Sequence, residues 1–188
     1  MVAAERLLIR LGDEDAVSMR AIAEEAGVAP PSIYLHFSDK SELLFEVCER
    51  QFAALDAATQ AAADEGVDPL DSLRRRGEAY IRFGLEHAEH YRIVFMGKPG
   101  LTPTVWQAEK LSEAAAFQHL LENVERCLDA GLLRDGTDPF LAAVGLWMNV
   151  HGAASLMIAK PEFPWPPVDA VIDHILTTHA YGLADGHE

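Results

Sequence analysis

The sequence predicts an all-α fold, a three-helix head followed by a larger helical body, and three observations carry that expectation. Residues 18 to 37 read as two short helices hinged at Gly27. Beyond them, apolar residues recur at helical rather than alternating spacing. Gly, Pro and Asp then punctuate the chain wherever one period ends and the next begins. No internal repeat interrupts this pattern.

In the head, Ser18 is suited to cap a helix by accepting a free backbone N–H, and Ile22, Ala23 and Ala26 mark its inner face. Gly27 ends that helix because leaving through a left-handed residue costs glycine little. Ala23 is small where two steeply crossing helices approach, and Val28 and Ile33 are assigned to the apolar side of the second helix. Pro30 and Pro31 mark its start, placed at Pro31 with Pro30 as the cap, since a proline is tolerated where an N–H has no partner anyway. The pair reads as a helix-turn-helix, a device for entering the major groove of DNA.

From Lys40, the spacing of Leu43, Leu44, Val47, Phe52 and Leu55 describes one long helix to about Ala63, linking head to body. The division expected is residues 1–46 for the head and 47–188 for the body. Asp68-Pro69 opens a helix through Leu73, Tyr80, Ile81 and Phe83 to near His87, and a short helix with Tyr91, Val94 and Phe95 follows. Residues 96 to 103 read as a loop, a long helix resumes near Thr104 and reaches Gly131, and the last two helices start at Asp138-Pro139 and Pro166-Pro167. The first of that pair is apolar on nearly all sides, with Ala142, Ala143, Gly145, Gly152, Ala153 and Ala154 permitting close approach, which marks a buried helix.

Ile22-Ala23-Glu24-Glu25-Ala26-Gly27-Val28, then Ser32-Ile33-Tyr34-Leu35-His36-Phe37 and Asp39-Lys40-Ser41-Glu42-Leu43-Leu44, resemble the TetR family of transcriptional regulators over about residues 2 to 50. That resemblance implies phosphate contacts by Tyr34, His36 and Lys40, joined by Ser18 and Arg20 at the other helix start, and base contacts by Pro30, Pro31 and Ser32. Phe37 is expected to pack. Leu146-Trp147-Met148-Asn149-Val150-His151-Gly152-Ala153-Ala154 resembles the family's Trp-His-Gly C-terminal subtype. The resemblance implies a ligand-binding body and a homodimer built on the last two helices, about 138 to 160 and 167 to 183. Two-fold symmetry then sets the recognition helices about 34 Å apart, on a palindromic double-stranded operator.

Charge departs from that family's habit. The chain has a net charge of −15, and residues 1–50 carry five basic groups against ten acidic ones. No Arg or Lys lies between Ala29 and Phe37, so arginine-to-guanine readout from that helix is excluded, and readout leans on Ser32, thymine methyls, water or DNA shape. Weak non-specific binding and few phosphate contacts are expected. Met1 to Glu5 begins almost inside the first helix, so the family's basic arm is either lacking or outside the numbered chain. A ligand-binding or scaffold protein whose head no longer binds an operator is the competing expectation.

With 188 residues and a mean hydropathy of +0.02 the chain reads as globular, and no run is expected to approach the roughly 20 apolar residues that span a bilayer. No signal-peptide pattern is seen, so a cytoplasmic protein is expected. Cys48 and Cys127 suggest buried thiols.

Tyr80, Phe83, Tyr91, Phe95, Trp106, Phe117, Trp147 and His151 are the candidates to line an effector cavity for a mostly apolar small molecule, against the alternative that they fill the core. Arg74-Arg75-Arg76 reads as a solvated face. His87 and His90, three apart beside Glu86 and Glu89, have metal-ligand spacing but no third ligand. They read as a solvated helix end, and neither metal nor cofactor is expected. Absent nucleophile elbows, phosphate loops and dinucleotide fingerprints, an enzyme is not expected.

Overall fold

In the computed structural model, which describes residues 1–12, 15–96 and 112–183, every regular element is a helix. These are α1 (Val2–Leu11), α2 (Met19–Ala26), α3 (Pro30–Ile33), α4 (Lys40–Asp64), α5 (Pro69–Glu86), α6 (Ala88–Met96), α7 (Ser112–Asp129), α8 (Pro139–Ala159) and α9 (Val168–Leu183). The expected loop beyond Met96 and the expected helix start at Thr104 lie outside the described residues, as does Trp106.

Local chemistry sets most boundaries. Ser18, Asp39, Asp68 and Asp138 each accept the backbone N–H three residues on, at 2.9–3.1 Å, satisfying donors that a helix start otherwise leaves bare. Glu42 reaches back to the N–H and hydroxyl of Ser38, which completes a reciprocal cap. Those two bonds hold its carboxyl below the usual glutamate range. At Gly27 (φ 68°), Val28 N–H donates to the Ala23 carbonyl and Gly27 N–H to Glu24, the paired bonds of a Schellman turn.

The second helix of the head departs from expectation. It starts at Pro30 with Ala29 as its cap and holds only four helical residues, continuing through a hydrogen-bonded turn at Tyr34 to His36. Ala29 adopts the extended geometry that a following proline favours, which moves the cap one residue upstream. Val28 lies outside that helix and is 45% exposed, whereas Ile33 is buried. Likewise α9 starts at Val168, just past Pro167.

Two cores result. Ala4, Leu7, Leu8, Val17, Ile22, Ala23, Ile33, Leu43, Leu44 and Val47 close the head, with Phe37 packed against them as expected. In the body, α5 packs against α4, α7 and α8. Glycines of α5 permit close approach: a Cβ at Gly77 would stand 2.7 Å from Leu176 Cδ2, and one at Gly84 would stand 3.1 Å from both Ala154 Cβ and the Tyr91 ring.

Helix α8 corrects the sequence reading on apolar length. It has 21 residues and a mean hydropathy of 1.4 over its most apolar stretch, enough by length and composition to cross a membrane. In this fold Ala143, Val150, Ala154 and Ile158 face the body core, while Leu141, Met148 and Leu156 are exposed. Cys48 and Cys127 are both buried, and burial lifts the pKa of the Cys127 thiol to about 11.

Candidate effector cavity and DNA-facing head

The body holds a partly open cavity of about 380 Å³ among α4, α5, α7 and α8, with α6 and α9 each supplying a wall residue. Four of the sequence candidates, Tyr80, Phe95, Phe117 and Trp147, line it. Phe52, Leu55, Phe140 and Leu176 complete much of the apolar wall. Phe117 sets its ring edge-on to both Phe140 and Trp147, at 5.6 and 6.0 Å between centroids.

Tyr91 and His151 stand behind that wall rather than in it. Tyr91 Oη lies 2.7 Å from His151 Nδ1, and Tyr80 Oη lies 3.3 Å from both. The Trp147 indole N–H donates to Tyr80 Oη at 3.4 Å. Burial holds His151 below the usual histidine range and, aided by Tyr80, raises Tyr91 above the usual tyrosine range. His151 Nδ1 accepts from the Tyr91 hydroxyl when the ring proton sits on Nε2 and donates to it when the proton sits on Nδ1. This network ties α5, α6 and α8 together and fixes the Tyr80 ring at the cavity. Phe83 also lies outside the lining, its ring tilted 53° to that of His87 at 4.5 Å between centroids.

Arg76 is the residue that sequence reasoning misassigned. It is 4% exposed and lines the cavity, whereas Arg74 and Arg75 make the solvated ion pairs expected of the run. Its Nη2 donates to Gln60 Oε1 at 2.6 Å and its Nη1 to Thr59 Oγ1 at 3.4 Å. The signal was present in the periodicity: Arg76 is three residues past Leu73 and four before Tyr80, on the apolar stripe.

The histidine pair also divides. His90 Nε2 lies 2.7 Å from the Glu5 carboxylate, which also accepts from Gln51 at 2.6 Å. The junction therefore joins α1 of the head to α6 of the body, and no group of three potential metal ligands occurs among the described residues. Helix α6 is further tied to α8 through Arg92, which donates to the Ile158 carbonyl at 2.9 Å.

On the head, Ser18, Arg20, Pro30, Pro31, Ser32, Tyr34 and His36 are exposed and Lys40 half-buried. Ser18 Oγ is occupied as an acceptor by Ala21 N–H, leaving its own proton to donate outward. None of these side chains belongs to the head core.

Known proteins share this architecture. Residues 1–47 match the family described as bacterial regulatory proteins, tetR family. Residues 73–179 match the family described as tetracyclin repressor-like, C-terminal domain. The chain is 30% identical over 132 residues to the HTH-type transcriptional activator FasR of Mycolicibacterium smegmatis, covering 70% of this chain and 59% of that one. It is 29% identical over 149 residues to the HTH-type transcriptional repressor KstR of Mycobacterium tuberculosis, covering 77% and 67%. A solved protein of unknown function from Rhodococcus sp. RHA1 superposes with a TM-score of 0.82 at 28% identity, covering 98% and 93%.

Proposed function

The chain belongs to the TetR family of bacterial regulatory proteins, and from that premise we propose that it is a repressor, binding a palindromic operator as a homodimer and released by a small, mostly apolar effector. The observation that carries this reading is the position of the cavity. Phe52 and Leu55 of its wall belong to α4, the same helix whose Leu43, Leu44 and Val47 form the head core. Phe95 belongs to α6, which holds α1 through His90 and Glu5. A ligand that displaces either helix therefore changes the pose of the head.

Coupling of this kind needs an effector that binds the released state better than the DNA-bound one, and the linkage is reciprocal. Relatives named as an activator and as a repressor are both similar to this chain, so the sign proposed, repression, is the one that operator titration with and without effector decides. For DNA, the exposed Tyr34 and His36 and the half-buried Lys40 would contact phosphates together with Ser18 and Arg20 at the α2 start, where backbone N–H groups favour an anion. Pro30, Pro31 and Ser32 would meet base edges. For dimerisation, Leu141, Met148 and Leu156 make an exposed apolar row along α8, with Gly145 and Gly152 between them, suited to close packing against a second copy with α9 beside it.

Selection of DNA fragments from a random pool by the purified chain tests this reading. A recovered palindrome with half-sites about one turn apart supports it. Recovery of no preferred sequence at either low or high salt would favour instead a ligand-binding protein whose head no longer reads an operator.

A further inference from the structure

We infer that the body cavity takes an amphiphile with a single carboxylate, its anionic head held by Arg76 and its hydrocarbon chain running toward Phe52 and Phe95. The inference rests on the reading of this cavity as an effector site and deepens it by naming the ligand class.

Three observations converge on Arg76. First, it is 4% exposed and lines an otherwise largely aromatic and aliphatic cavity. Second, its hydrogen-bond partners, Thr59 and Gln60, are both neutral, and among the described residues no carboxylate lies within ion-pair distance of it. Third, its Nε has no hydrogen-bond partner there. A buried guanidinium with no carboxylate in direct contact, its charge met only at longer range by Asp56, Asp64 and Glu122, is costly, and a ligand oxyanion reaching its cavity side supplies the direct counter-charge. A carboxylate fits the fork of a guanidinium, which gives geometry as well as charge.

The rest of the wall sets the tail. Thr59, opposite Arg76, and Phe52 lie seven residues apart on α4, which is on the order of 10 Å along a helix. Leu55 lies between them on α4, and Tyr80 and Leu121 also line the cavity. Tyr80 already spends its hydroxyl on the Tyr91–His151 network. Arg76 is therefore the charged anchor of a site whose opposite end is Phe52 and Phe95, packed edge to face at 5.2 Å. A chain seated from Arg76 presses on the two helices, α4 and α6, that support the head.

The test compares decanoate with 1-decanol, equal in chain length and different in charge, titrated into the purified full chain at pH 8 and read by calorimetry or tryptophan fluorescence. Decanoate is expected to bind at least tenfold more tightly than decanol to the wild type. Arg76→Met should lower decanoate affinity by roughly ten- to 100-fold, the range for a hydrogen bond to a charged group, while leaving decanol binding unchanged or tighter. Arg76→Lys, which keeps the charge, should retain part of the preference and guards against a fold defect in Arg76→Met. Equal binding of the two probes to the wild type, or an undiminished preference in a folded Arg76→Met, overturns the carboxylate assignment while leaving the cavity as an effector site. Binding of neither probe overturns both.

Discussion

The head and the body of this chain are built from the same kind of amphipathic helix, yet they close their interiors in opposite ways. The head buries aliphatic side chains to completion, with Leu43, Leu44 and Ala23 each at or below 1% exposure. The body leaves about 380 Å³ open and borders it with a buried arginine, Arg76, and a tyrosine, Tyr80, that a second layer of Tyr91 and His151 braces. A filled core holds one pose rigidly, and a cavity bordered by polar groups leaves affinity for something else to supply the missing contacts. The comparison assigns rigidity to the DNA-facing part and adaptability to the sensing part.

Truncation of the filled core should have the largest effect. Leu44→Ala is expected to cost about 2–5 kcal/mol, read as a lower midpoint in denaturant. Next comes adding volume in the two regions. Ala23→Leu, forced into the closed head, should cost about 1–3 kcal/mol, whereas Ala116→Leu at the cavity wall should be neutral or stabilising by up to about 1 kcal/mol while weakening effector binding. Equal costs at the two sites would erase the distinction between filled and open interiors.

The junction between the regions should respond more weakly. Removing the partly exposed Glu5–His90 pair with His90→Ala is expected to cost under about 1 kcal/mol but to blunt the effect of a bound effector on DNA affinity, measured by titrating operator with and without it. The smallest effect is pH-dependent. Burial holds the folded His151 below its unfolded value near 6.5, so the unfolded chain takes up this proton first. The contribution to stability is complete above about pH 6.5 and is lost as pH falls below it. His151→Gln should flatten the acid side of the stability profile; an unchanged profile would remove His151 from the list of buried neutral groups.

Legibility in the sequence followed the range of the interactions. Ser18, Gly27, Asp68 and Asp138 act on backbone within a few residues, so helix ends were readable to within one or two positions. Pro30 shifted by one because either proline of the pair satisfies the helix start. In the body, Tyr80, Phe95, Phe117 and Trp147 were legible as large rings at helical spacing, but spacing alone does not tell a wall of a cavity from the interior of a core. Tyr91 and His151 looked like ligand contacts and instead brace Tyr80, because they meet across 60 residues. Arg76 was hidden inside a run of three arginines, and the Glu5–His90 contact spans head and body with no local signature.

The most direct test of the division of labour is the affinity of the purified chain for its selected duplex, compared with a scrambled duplex, for the wild type, Tyr34→Ala and Ala116→Leu. The account predicts specific binding by the wild type, a loss of about tenfold in Tyr34→Ala, in keeping with one lost phosphate contact, and wild-type affinity in Ala116→Leu. Equal affinity for selected and scrambled DNA, with Tyr34→Ala unchanged, would contradict it.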